Sequence, residues 1–99
     1  MRRVVWSQAA LADMRDQLHY IAAEDPEAAQ RVVSALRETG NALAEFATGH
    51  PGRVAGTYEK SVRGLPYIIA YALSDDDRTL SILRVIHSAR DWQPEDWPE

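Results

Sequence analysis

GTYEKSVRGLPYIIAYALSDDDRTLSILRVIHSARDW, residues Gly56 to Trp92, decides the fold, because apolar side chains recur there at every second position and two polar or glycine-rich breaks divide the run. The alternation predicts three strands, over residues 57–62, 67–73 and 79–87. Arg63, Gly64, Leu65 and Pro66 supply the first turn, and the segment from Ser74 to Arg78 supplies the second. Asp75, Asp76 and Asp77 read as a solvated turn tip, since neither the spacing of a calcium loop nor its distal glutamate is present. In the third strand, strict alternation places Ser81, Leu83, Val85 and His87 on one face and Leu80, Ile82, Arg84 and Ile86 on the other. Both faces carry apolar groups, so both are expected to be covered, one by helices and the other by a partner or by the tail, residues 88–99.

Upstream of this meander the period changes. Residues 2–6 read as a strand, and Ser7 stands where a helix N-cap belongs. A helix is expected from Gln8 to Ala23, with Leu11, Met14, Leu18 and Ile21 on one stripe. Asp25 followed by Pro26 starts a second helix, expected to reach Phe46, because proline at the first helical position gives up no hydrogen bond. Its stripe is Ala29, Val33, Leu36, Gly40, Leu43 and Ala47, with Val32 and Phe46 beside it. Gly40 in mid-helix costs about 1 kcal/mol against alanine, which implies the close approach of a neighbour. Residues 8–46 are thus a helical hairpin, closed by Gly49, His50, Pro51 and Gly52. Its many alanines, among them Ala9, Ala12, Ala28 and Ala35, offer a shallow groove to an amphipathic partner helix or to self-packing.

Composition bounds the function. A chain of 99 residues is expected to form a single domain, 1–99. It has no run near the roughly 20 apolar residues of a membrane helix, and it is expected to be cytoplasmic and to make no membrane contact. With no cysteine and three scattered histidines, neither a metal site nor a cofactor is expected. Eleven basic against fifteen acidic residues give a net charge of −4, which disfavours a non-specific nucleic-acid binder, and no direct sequence-specific nucleic-acid binding is expected. The sheet half is nonetheless locally basic: Arg53, Lys60, Arg63, Arg78, Arg84 and Arg90 stand there against Glu59, apart from the aspartate turn and Asp91.

The order of elements, together with Gly52-Arg53, GTYE at Gly56 to Glu59, GLPYIIAY at Gly64 to Tyr71 and ILRVIHSARDW at Ile82 to Trp92, resembles the RelE/ParE superfamily of bacterial type II toxins. The resemblance spans nearly the whole chain and is closest to the ParE-like branch. It implies an α+β domain with an N-terminal strand, an α-helical hairpin and then a three-stranded antiparallel meander. It also implies a toxin silenced by a cognate antitoxin, ParD-like and helical.

Two activities are known in the superfamily. RelE-like members cut messenger RNA on the ribosome, which needs a base for the 2′-hydroxyl, an acid for the leaving oxygen and cations for the developing charge. By resemblance those roles would fall to Glu59 as base, Arg63 as phosphate clamp and His87 as acid. ParE-like members inhibit DNA gyrase by binding, with no catalysis of their own. The single lysine, the net negative charge and the absence of a C-terminal tyrosine depart from the nuclease pattern, and the IHSARDW ending is similar to the ParE-like branch. A gyrase-binding, non-enzymatic toxin is therefore the expectation, with the ribosome-dependent endonuclease and a non-toxic antitoxin-binding module as alternatives. The expected target surface is Arg63, Arg84, His87, Arg90 and Trp92; the expected antitoxin surface is Leu11, Met14, Leu18, Val32 and Leu36.

Overall fold

Ser7 joins the first strand to the first helix and ties both to the far end of the chain. In the computed structural model, which describes residues 1–88, its hydroxyl oxygen accepts from the Ala10 amide at 3.0 Å and the same hydroxyl donates to the Leu83 carbonyl at 3.0 Å. Strand β1 is Arg3–Trp6, helix α1 Gln8–Ala22 and helix α2 Pro26–Ala42. The strands that follow are β2 His50–Pro51, β3 Tyr58–Ser61, β4 Tyr67–Ser74 and β5 Thr79–His87. Asp25 caps α2 through the Ala28 amide, with Pro26 in the first turn. No helix among the described residues is long and apolar enough to cross a membrane.

The strands form one five-stranded sheet in the order β1-β5-β4-β3-β2. The expected meander is β3, β4 and β5, paired antiparallel; β1 adds in parallel to β5, and the two-residue β2 borders β3 where the sequence predicts only a helix-ending turn. The helices cover one face. Their core includes Met14, Val32, Leu36 and Leu43 packed on Val62, Tyr67, Ile69, Tyr71, Leu80, Ile82 and Val85. Gly40 is the close approach that its position implies: a Cβ there would lie 2.5 Å from the Trp6 ring and 2.7 Å from Ile82 Cδ1. Tyr71 is fully buried, its hydroxyl accepts from the Gly49 amide at 2.9 Å, and burial holds its ionisation above the usual value.

Three expectations are corrected. A bulge between Ala70 and Tyr71 in the register sets Ala70 opposite Arg84 but Tyr71 opposite Ile82, leaving Leu83 as the extra residue. Strict alternation along β5 therefore fails, and Val85 joins Leu80 and Ile82 on the helix face while Arg84 and Ile86 take the other. Helix α2 ends at Ala42 rather than Phe46: the Ala44 and Glu45 amides bond back three residues, the Ala44 carbonyl is taken by the Arg2 amide, and Phe46 is 71% exposed with no core to enter. On α1 the buried stripe is rotated. Ala10 and Met14 face inward, whereas Leu11 is 45% exposed, because the alanine lets the helix backbone approach β5 closely.

Candidate functional site

The sheet half carries its charges in three separate settings. On the face away from the helices, the register lines up Glu59, Ala70 and Arg84 across β3, β4 and β5. Glu59 is 4% exposed and fully engaged by Arg53: its Oε2 accepts from the Arg53 backbone amide at 2.9 Å and from Nε at 3.2 Å, and its Oε1 from Nη2 at 3.4 Å. Gly52 makes this possible, since a Cβ there would lie 3.2 Å from Glu59 Oε2 and 2.7 Å from the Thr57 hydroxyl. Asp13 of α1 holds Arg84 at the β5 edge in a two-toothed pair of 2.7 and 3.0 Å and accepts the Val85 amide at 2.9 Å. One carboxylate thus closes the part of β5 that β1 does not reach.

His87 lies elsewhere. It sits opposite Tyr67 on the helix face, with its ring edge-on to the tyrosine at 5.3 Å, and the Tyr67 hydroxyl donates to Gln17 Oε1 at 2.9 Å. The third setting is a cleft of about 580 Å³ between the C-terminal end of α2 and β3, where Lys60 and Arg63 face Glu38, with Leu43 and Phe46 at its wall. Among the described residues no carboxylate lies within ion-pair distance of Lys60 or Arg63.

Of the nuclease set, Glu59 lies on the face away from the helices, whereas His87 on the helix face and Arg63 just after β3 lie toward the same end of the sheet. Of the expected target surface, Arg84 is tied to Asp13, and Arg90 and Trp92 lie outside the described residues. The expected antitoxin surface divides. Leu11 and Leu18 line a groove of about 130 Å³ between the helices, with Met14 at its floor, Val33 on the α2 side and Arg15 and Arg37 on its rims. Val32 and Leu36 are instead buried at 9% and 0%, on the opposite side of α2 against the sheet, and Met14 at 5% gives most of its surface to the core. Val32 and Leu36 are taken up by the core, and Met14 is shared between the core and the groove. Val33, Arg15 and Arg37, which line the same groove, are not part of the expected surface, although Arg15 follows Leu11 and Arg37 follows Val33 by one helical turn. Asp13 carries no local signal at all. Among the described residues no group of three or more His, Asp or Glu is placed to hold a metal ion.

A helical hairpin on one face of a mixed five-stranded sheet defines an α+β domain of the RelE/ParE fold. The profile of the family described as ParE toxin of type II toxin-antitoxin system, parDE, matches residues 4–92, and the chain belongs to that family. It is 39% identical over 92 residues to a Sinorhizobium fredii protein named toxin Y4kP, covering 92% of this chain and 93% of that one. It is 37% identical over 91 residues to toxin RelE2 of Caulobacter vibrioides, covering 91% and 99%. Among solved structures it resembles a chain of the chromosomal ParDE system from P. aeruginosa, with a TM-score of 0.80 and 22% identity over 88% of this chain and 96% of that one. A chain of the toxin-antitoxin complex RelBE2 from Mycobacterium tuberculosis aligns with a TM-score of 0.59 and 24% identity, covering 87% and 96%. These two likenesses show the shared fold.

Proposed function

We propose that this type II toxin acts in the cytoplasm by binding and inhibiting DNA gyrase, makes and breaks no bonds itself, and is silenced by a ParD-like helical antitoxin. The observation that carries the non-enzymatic reading is the placement of Glu59 and His87 on opposite faces of the sheet. A base and an acid must reach the same scissile phosphate, and both Glu59 carboxylate oxygens are already engaged by Arg53. Family membership supports the toxin and antitoxin roles. The groove with Leu11, Leu18 and Val33 suits an amphipathic helix with apolar anchors one turn apart, and Arg15 and Arg37 favour acidic residues beside those anchors. The target contact is assigned to Arg63 and His87 at one end of the sheet, together with Arg90 and Trp92, which follow His87 in the sequence.

The test is supercoiling of relaxed plasmid by gyrase with the purified chain added. Supercoiling is expected to be lost and to return when the antitoxin is added. Arg90→Ala with Trp92→Ala is expected to leave the fold intact, by circular dichroism, and to remove the inhibition. A folded chain that arrests growth, leaves gyrase untouched and cuts ribosome-bound message in a Glu59- and His87-dependent way would overturn the reading in favour of the endonuclease. Expression without growth arrest would instead leave an antitoxin-binding module.

A further inference from the structure

The cleft that holds Lys60 and Arg63 lies at the end of the sheet from which the chain leaves β5. The Ser88 amide donates to the Pro66 carbonyl at 2.8 Å, and Pro66 belongs to the same turn between β3 and β4 as Arg63. The Leu65 amide bonds back to the Val62 carbonyl, so the turn is tight, and Arg63 stands roughly 10 Å, about two strand spacings, from Ser88. Residues 89–99, ARDWQPEDWPE, follow. They carry Asp91, Glu95, Asp96 and Glu99 against Arg90, a net −3, whereas residues 1–88 carry ten basic and eleven acidic groups, a net −1. Most of the net negative charge of the chain therefore begins beside its cationic cleft.

That cleft, of about 580 Å³, suits such a segment. Among the described residues no carboxylate lies within ion-pair distance of Lys60 or Arg63, and Phe46, 71% exposed, gives the wall an uncovered aromatic ring. Trp92 is four residues beyond Ser88, a reach of up to about 14 Å. We propose that this chain's own segment 89–99 docks in the cleft, with the carboxylates of Asp91, Glu95 and Asp96 toward Lys60 and Arg63 and the Trp92 indole on Phe46. Tethering favours this occupant over a free one, because a segment joined within reach of its site competes at an effective concentration on the order of millimolar. Docking would cover Arg63 and Trp92. Its consequence, a toxin that holds back part of its own target contact, rests on the function proposed above, whereas the docking itself does not.

The experiment is proton–nitrogen NMR of the full, free chain, reading solvent exchange of the Trp92 indole N–H, which is identified by its loss in Trp92→Phe. Three changes are compared, each checked for fold by circular dichroism: Phe46→Ala; Lys60→Glu with Arg63→Glu; and Asp91→Lys with Glu95→Lys and Asp96→Lys. Exchange is expected to be slow in the unmodified chain and about tenfold faster in each variant and in about 1 M salt. Combining the two charge reversals is expected to restore protection, which a merely damaged fold would not do. An indole as open in the unmodified chain as in the variants would overturn the inference. So would protection that survives all three and yields instead to Ile68→Glu, which would place the segment on the face away from the helices. Protection that fades on dilution would also overturn it, in favour of a second copy as the occupant. Neither gyrase nor antitoxin is present in these measurements, so their failure leaves the proposed function standing, and a failure of supercoiling inhibition is read separately.

Discussion

The face of the sheet away from the helices and the cleft at the end of α2 start from the same raw material and end differently. On that face and its edge Arg53 and Arg84 are each locked to a carboxylate, Glu59 and Asp13, and both locks also satisfy a backbone amide. In the cleft Lys60 and Arg63 stand without such a lock among the described residues. The difference teaches that the basic character of this half of the chain, plain from counting residues, is not a basic surface. Two of its cations, Arg53 and Arg84, are structural charge that holds a loop and an edge in place. Among the described residues of this half, the cleft keeps two cations with no carboxylate at ion-pair distance, charge of the kind that steers a partner.

The comparison can be broken by removing the locks in turn. Asp13→Ala carries the largest expected effect, a loss of about 3 kcal/mol, because it removes the two-toothed pair with Arg84 and the acceptor of the Val85 amide at once in a partly buried edge. Urea unfolding should show the midpoint falling with an unchanged slope. Glu59→Ala is expected to cost about 1–2 kcal/mol, less than Asp13→Ala because Arg53 is partly in water and can be resolvated. It should also speed hydrogen exchange of the Arg53 amide, and equal losses in the two variants would show that the two locks are equivalent. Asp76→Gly runs the other way. Asp75, Asp76 and Asp77 all take positive φ, of 56°, 53° and 66°, so glycine should stabilise the chain by about 1 kcal/mol, read as a rise in Tm. Arg78→Ala is expected to change stability by less than about 0.5 kcal/mol, since its pair with Asp75 is 3.4 Å long and exposed on both sides. A larger loss there would blur the line between locked and solvated cations.

Much of the fold is legible in the residues themselves. Ser7, Asp25 and Pro26 mark helix starts because capping chemistry is local, and the period of two from Tyr67 to Leu73 marks a strand because side chains on a pleated ribbon alternate. Gly40 signals a close neighbour without naming it. Sequence and structure part where a long-range contact overrides a local pattern. The bulge at Leu83 reverses the facing of Arg84 and Val85, and periodicity gives no warning of it. Helical spacing carries Phe46 into the second helix beside its apolar stripe, yet the helix ends before it and no part of the sheet lies beneath it. The same spacing puts Val33 on the core stripe with Val32 beside it, whereas Val32 is the one buried and Val33 lines the groove, a choice between neighbours that only packing against the sheet fixes.

The sequence alone determined the order of elements, the antiparallel meander and the resemblance that leads to the ParE toxin family, since caps, turns and alternation are written in residues close together. The tertiary structure decided which charges are available. Asp13 and Arg84 are 71 positions apart, and neither the count of charges nor their spacing announces that they meet. Whether a cation is a clamp or a contact depends on the carboxylate that folding brings beside it, and that is set by how α1 lies along the edge of β5.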